Sequence, residues 1–273
     1  FEDLRIHITE WNQKSTNSLD RDEDYGLFQA HEMLDIMESF MASKVDQAYV
    51  WPLIQNTANP LSAGMDYTGP TAPGEMFSMM SENLPGKAAI DFTPGRGRDT
   101  EYEGDTVDVH AFAGQGDMVF YIASTTDETA ITDIDLSNLV AGYDAMDVSV
   151  LGVMPGENPG NTRSDVDVQQ LDAEDIFHGG ILEVDLDEGE IMQVIIRGIQ
   201  PTESFAPTLD AIDDAEFGDD PVVPIDNPVV PDDDPIVSDD EPEDLDYDSD
   251  GGLGDLAFLL GLLPILALLG LAG

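Results

Sequence analysis

The sequence predicts an α/β segment, then an all-β segment, then an acidic linker and an apolar C-terminal helix. Three observations predict this order. Apolar residues near the start alternate as in a strand, recur at helical spacing, and then alternate again. From Lys87 the period stays at two, with turn residues between short runs. After Arg197 there is no Lys or Arg, and Asp, Glu and Pro crowd the chain until an apolar tail begins.

Leu4, Ile6 and Ile8 alternate with Arg5, His7 and Thr9, so the chain opens on a strand. That strand delivers Glu10, Trp11 and Asn12. Two readings of these residues stand side by side. In a sugar site Glu10 attacks or hydrogen-bonds, Trp11 offers a flat apolar face, and Asn12 bonds to hydroxyls. In the other reading a buried strand simply runs into a polar loop. Residues 13–24 end in acidic side chains suited to a helix N-terminus. Residues 25–41 read as a helix, with Leu27, His31, Leu34, Met37 and Met41 on one face and Phe28, Ile36 and Phe40 widening it. A second strand, 45–53, passes through Ala48, Val50 and Trp51 until Pro52 stops it. A crossover of this length makes the two strands parallel. Glu10 and Trp51 then share the C-terminal edge, where α/β folds place their chemistry.

HITEWN at 7–12, a helix, and DQAYVWPL at 46–53 together resemble the seventh and eighth strands of clan A retaining glycoside hydrolases, which are (β/α)8 barrels. The TEWN form is most similar to the xylosidase, arabinofuranosidase and agarase-like branches. The resemblance covers about residues 4–86 and implies that 1–86 is the C-terminal portion of a TIM-barrel catalytic domain. It implies that Glu10 is the nucleophile and that Trp51 floors a sugar subsite, with Trp11 beside it. Such a barrel needs ~250 residues, and the Asn-Glu pair that carries the general acid/base has no counterpart here. The chain is therefore expected to be the C-terminal part of a longer enzyme. Residues 54–73 would overhang the barrel mouth, where Asn56 and Asn59 are either hydroxyl contacts or solvated loop residues.

Residues 74–84 read as a short helix with Met76, Phe77, Met79, Met80 and Leu84 on its core face, ended by Pro85 and Gly86. Short strands are expected at 88–92, 107–113, 118–124, 130–136, 146–153, 181–187 and 191–197, with turns such as Gly114 to Asp117 between them. Their number and spacing predict an antiparallel β-sandwich over 87–200. Phe120, Tyr121 and Tyr143 are core residues in one reading and carbohydrate contacts in another. His110 sits between Val109 and Ala111 with no second His nearby, and is expected to be no ligand.

Nine Lys and Arg face 58 Asp and Glu, a net charge of -49. Such a field repels nucleic acid and anionic membrane, and argues against an anionic polymer as substrate. With no cysteine there are no disulfides and no thiolate metal sites. No metal or organic cofactor is required by the expected chemistry. Residues 201–252 form an extended acidic, Pro-rich linker. Its Asp-x-Asp string at 246–251 matches half of a calcium loop, but position twelve falls on Ala257, so linker composition explains it better. Residues 253–273 carry the apolar run 256–273, interrupted by Pro264 and read as a membrane anchor or sorting segment. The expected protein is an exported, extracellular or cell-surface glycoside hydrolase with a polysaccharide or oligosaccharide as partner. The rival is a non-catalytic, adhesin-like or glycan-binding surface protein.

Overall fold

The computed structural model describes residues 5–13, 25–54, 58–63, 68–90 and 101–214, apart from the side chains of 101–103. All lie in the first of two compact units, Phe1–Asp220. In chain order the elements are β1 His7–Trp11, α1 Leu27–Ala42, β2 Gln47–Val50, β3 Ser62–Ala63, β4 Gly69–Pro70 and α2 Ala72–Asn83. Then come β5 Ala88–Ala89, β6 Glu101–Glu103, β7 Val107–Gly114, β8 Asp117–Ser124, β9 Ala130–Asp135, β10 Val140–Gly142 and β11 Ala145–Val153. The last are β12 Val166–Leu171, α3 Ala173–Ile176, β13 Phe177–His178, β14 Ile181–Leu186, β15 Ile191–Arg197, β16 Gln200–Pro201 and α4 Ala206–Asp213.

Strand, helix and strand at the N-terminus form as expected, and β1 pairs with β2 in parallel. No barrel closes among the described residues, where β1 and β2 make a separate two-stranded sheet. Helix α1 starts at Gly26, whose φ of 59° suits glycine, and no acidic residue lies in its first turn. Its free amide ends are met from far along the chain. Leu27 N donates to Pro159 O at 2.8 Å and Tyr25 N to Gly160 O at 3.0 Å. A Cβ at Gly26 would stand 2.3 Å from Pro159 O, so only glycine lets the two segments meet. Helix α2 follows local rules instead: Thr71 caps it by accepting from Gly74 N, and Pro73 occupies its first turn.

Strands stand at every one of the seven expected places after Lys87. The large sheet runs β12-β11-β15-β8-β7-β5, with β6 beside β7, and its pairings are antiparallel. One face carries Met118, Phe120, Ile122 and Val194, which pack with Leu182, Val184 and Leu186 of the three-stranded sheet β13-β14-β9. The other carries Phe112, Val119, Tyr121, Leu151 and Ile191, which pack with Leu27, Met33 and Leu34 of α1 and with Met76, Met79 and Met80 of α2. Burial on both faces explains why β7, β8 and β15 read as near-continuous apolar runs. At Gly114 to Asp117 the hairpin turns through Gln115 and Gly116, both at positive φ.

Seven strands escaped the sequence reading: β3, β4, β6, β10, β12, β13 and β16. Strand β12 is the longest of them. It is an edge strand whose side chains are half-buried or exposed, so Val166 and Val168 alone hint at its period. The expected linker 201–252 is not extended where it is described: Pro201 pairs with Val140, and α4 packs Leu209 beside Phe205 into the core. The rest of it from 215, the string at 246–251 and the apolar run at 256–273 lie outside the described residues, as does Asn56. Among the described residues no helix is long and apolar enough to cross a membrane.

Candidate functional site

The C-terminal edge of the β1–β2 pair is shaped by one irregularity. His7 and Ile8 pair with Gln47 and Ala48, but Trp11 pairs with Val50, so three steps on β1 span two on β2. This is a bulge, and its extra residue changes the phase of the strand. Ile8 and Trp11 both end on the core side, while Thr9 and Glu10 are left exposed. Trp11 N and O remain in the ladder, with Trp51 N donating to Trp11 O at 3.0 Å.

Glu10 therefore lies open at the edge, beside β2, whose end at Val50 is followed by Trp51. Trp51 is 57% exposed and is flanked by exposed Tyr49 and Leu53. Trp11, expected to share this surface, does not: it is 7% exposed. Phe40 meets it edge-on at a centroid distance of 5.6 Å, and Phe77 packs at 6.4 Å. It forms the floor on which the site rests.

Asn12 is drawn into structural bonds. Its Oδ1 accepts from Gln29 Nε2 at 2.9 Å and from Gln13 N at 2.7 Å, and its Nδ2 donates to Asn59 O at 3.1 Å. Buried Asn59 returns a bond, Nδ2 to Gln13 O at 2.8 Å. The end of β1 is thus tied to α1 and to the loop before β3. Asn59, weighed above as a substrate contact, is a structural tie.

Of the sandwich aromatics, Phe120 and Tyr121 are fully buried, and Gln193 Nε2 donates to the Tyr121 hydroxyl at 2.9 Å. Tyr143 is partly exposed and packs edge-on against Phe177 beside an open cavity of about 470 Å³.

A second cluster went unread in the sequence. His31, Asp35 and Glu38 occupy one face of α1, at steps of four and three residues. Asp108 and His110 lie on one face of β7, two residues apart. Packing α1 on the large sheet joins them. His31 Nε2 and His110 Nε2 stand 3.3 Å apart, which corrects the expectation that His110 has no second His nearby. Fully buried His110 shares a 2.5 Å hydrogen bond with the buried carboxylate Glu38, from Nδ1 to Oε2. Asp35 Oδ1 is 3.6 Å from His31 Nε2 and 3.5 Å from His110 Nε2. That oxygen is buried with no hydrogen-bond partner among the described residues. Burial pushes the His31 imidazole down to about 4, with His110 adding to the shift. Burial likewise raises the Asp35 carboxyl to about 6 against the pull of His110. The local signal was the pair of spacings, His-x3-Asp-x2-Glu and Asp-x-His. Neither is specific until the helix and strand are known to touch.

No family model matches the chain, and no curated protein matches it. Solved structures do. A GH30 endoxylanase from Clostridium papyrosolvens C71 is 15% identical over 71% of this chain and 42% of its own, with a TM-score of 0.44. A GH51 arabinofuranosidase from Xanthomonas axonopodis pv. citri is 13% identical over 63% of this chain and 36% of its own, TM-score 0.41. BuGH86, solved in complex with neoagarooctaose, is 11% identical over 73% of this chain and 31% of its own, TM-score 0.39. The chain spans about two fifths or less of the length of each. These structural neighbours are glycoside hydrolases.

Proposed function

We propose that this chain is the C-terminal part of a retaining glycoside hydrolase, with Glu10 as its nucleophile. The observation that carries the reading is the bulge at the end of β1. It leaves Glu10 exposed at the C-terminal edge of a parallel β-α-β unit, beside exposed Trp51, in the order of the HITEWN and VWP resemblance. In this reading 1–86 ends a barrel and 87–200 is a sandwich packed against its side, the helices sharing a core with the large sheet.

The chemistry is a double displacement. Glu10 attacks the anomeric carbon while a second carboxyl, on an earlier strand, protonates the leaving oxygen. Water then attacks the glycosyl ester, the second carboxyl accepts a proton from that water, and Glu10 is released. The two carboxyl groups must stand about 5–5.5 Å apart for this outcome. Trp51 is the stacking surface for the sugar ring, Trp11 supports the strand from beneath, and Asn12 positions its end. Asn56 remains a substrate contact on sequence grounds alone.

Incubating the enzyme that contains both carboxyls with a 2-deoxy-2-fluoro glycoside carrying a good leaving group tests this. A glycosyl adduct on the peptide that holds Glu10 is the expected result. An adduct on another carboxylate transfers the nucleophile elsewhere. Glycan binding with no adduct and no turnover favours the non-catalytic surface protein.

We also propose, from sequence alone, that the segment 256–273 tethers an exported protein to a membrane. About eighteen apolar residues at 1.5 Å each approach the hydrocarbon thickness of ~30 Å, and each acidic residue before them is costly to bury in lipid. Deleting 256–273 should move the protein from the membrane pellet to the supernatant. Identical partitioning of both forms would show that the segment is no anchor.

A further inference from the structure

We propose that His31, Asp35 and His110 form a divalent metal site of the zinc class that clips helix α1 to strand β7. Their ligand atoms make a nearly equilateral triangle with edges of 3.3, 3.5 and 3.6 Å. A tetrahedral ion with bonds of about 2.0–2.1 Å spaces its ligand atoms about 3.3–3.4 Å apart. Adjacent positions of an octahedral ion with similar bonds would lie only about 3.0 Å apart. The triangle therefore fits the tetrahedral case. Imidazole nitrogens with one carboxylate are donors that suit zinc and exclude magnesium or calcium.

The hydrogen bonding argues the same way. The 2.5 Å bond to Glu38 Oε2 engages His110 Nδ1 and leaves Nε2 to face the other two ligand atoms. This is the carboxylate–histidine arrangement that orients metal-bound imidazoles. His110 Nε2 then faces His31 Nε2 and Asp35 Oδ1. Two imidazole nitrogens and a carboxylate oxygen converge, and a cation between them answers all three. The buried Asp35 Oδ1 is the second sign, because a buried carboxylate oxygen is costly without a partner. Asp108 Oδ2 lies 3.8 Å from His31 Nε2 and supplies either the fourth ligand or the bond to a water there. Without metal, His31 Nε2–H would instead donate to His110 Nε2, a single hydrogen bond that leaves Asp35 unanswered.

The site links residues 79 apart in sequence, so its first effect is on stability, read without any assay of activity. The chelator-stripped enzyme that contains this chain is titrated with Zn2+, and with Co2+ as an optical reporter. One equivalent should bind saturably, raise the melting temperature, and give the intense visible absorption of tetrahedral cobalt. His31→Ala and Asp35→Asn should each weaken that equivalent by at least ~100-fold while still folding. Asp35→Asn also removes a half-buried carboxylate whose Oδ1 has no hydrogen-bond partner among the described residues, so its metal-free melting point should equal or exceed that of the wild type. Glu38→Gln should keep the stoichiometry but weaken binding by roughly 10–100-fold. If the wild type takes up no saturable equivalent, the pair is a metal-free histidine hydrogen bond and the proposal fails. Equal binding by wild type and both ligand variants would mean adventitious uptake by acidic side chains, and overturns it equally.

Discussion

Glu10→Gln should leave the fold intact and lower turnover by roughly four to six orders of magnitude, the scale of losing a covalent nucleophile. The side chain is exposed on the bulge, and exchanging a carboxylate for an amide there should change stability by no more than about 0.5 kcal/mol. What it removes is the lone pair that attacks the anomeric carbon. Binding and the acid on the earlier strand remain, so the Michaelis complex forms and stalls. Steady-state rates on an aryl glycoside, paired with a thermal melt, separate the two effects. Azide supplied to Glu10→Ala should partly restore turnover by attacking from the vacated face, releasing a glycosyl azide of inverted configuration. Wild-type turnover by a normally folded Glu10→Gln would sink the assignment, leaving the residue an ordinary exposed end of a strand.

Phe112→Ala should cost about 3–5 kcal/mol, the range for emptying a fully buried phenylalanine site. Phe112 lies in the layer between the large sheet and the two helices, with Tyr121 edge-on at 6.1 Å. At about 2–4 °C per kcal/mol for a domain of this size, the melting temperature should fall by roughly 6–20 °C. Phe120→Ala, on the opposite face of the same sheet, should match it. Both faces are borne by β7, β8 and β15, so either change should destabilise a single cooperative transition. Tyr49→Ala, at an exposed position, serves as the control and should shift little. A Phe112→Ala protein melting within a degree or two of wild type would mean that the helices contribute no packing to the sheet.

Much of the architecture was legible because its causes are local. Alternation at 107–113 and 118–124 follows from the two-residue pleat, and the hairpin between them from a two-residue turn that tolerates positive φ. The end of α2 follows from Pro85 and Gly86 just beyond it, while its start lies at Ala72 rather than the expected Gly74 because Thr71 caps it. The β1-α1-β2 unit was readable for the same reason, and its crossover length was enough to make the strands parallel. So was the placement of Glu10 and Trp51 at one edge, whereas the exposure of Glu10 is decided by the bulge. The start of α1 was not: it depends on Pro159 and Gly160, more than a hundred residues away.

Three matters were settled only by contacts between distant segments. Adjacency in sequence put Trp11 beside Glu10, but the bulge rotates the strand so that the indole fills the core against Phe40 and Phe77. A phase change of one residue leaves no mark in composition, because its cause is the register against β2. Strand β12 is defined by its pairing with β11 rather than by its own pattern. His31 read as part of an apolar helix face and His110 as a lone strand histidine. Each reading is correct for its own element. Only packing α1 on the large sheet, driven by the apolar surface both must bury, brings Nε2 to within 3.3 Å of Nε2 and surrounds them with Asp35, Glu38 and Asp108. The sequence determines which faces exist, and tertiary packing determines which of them meet, since periodicity is a property of a few neighbouring residues and contact between faces is not.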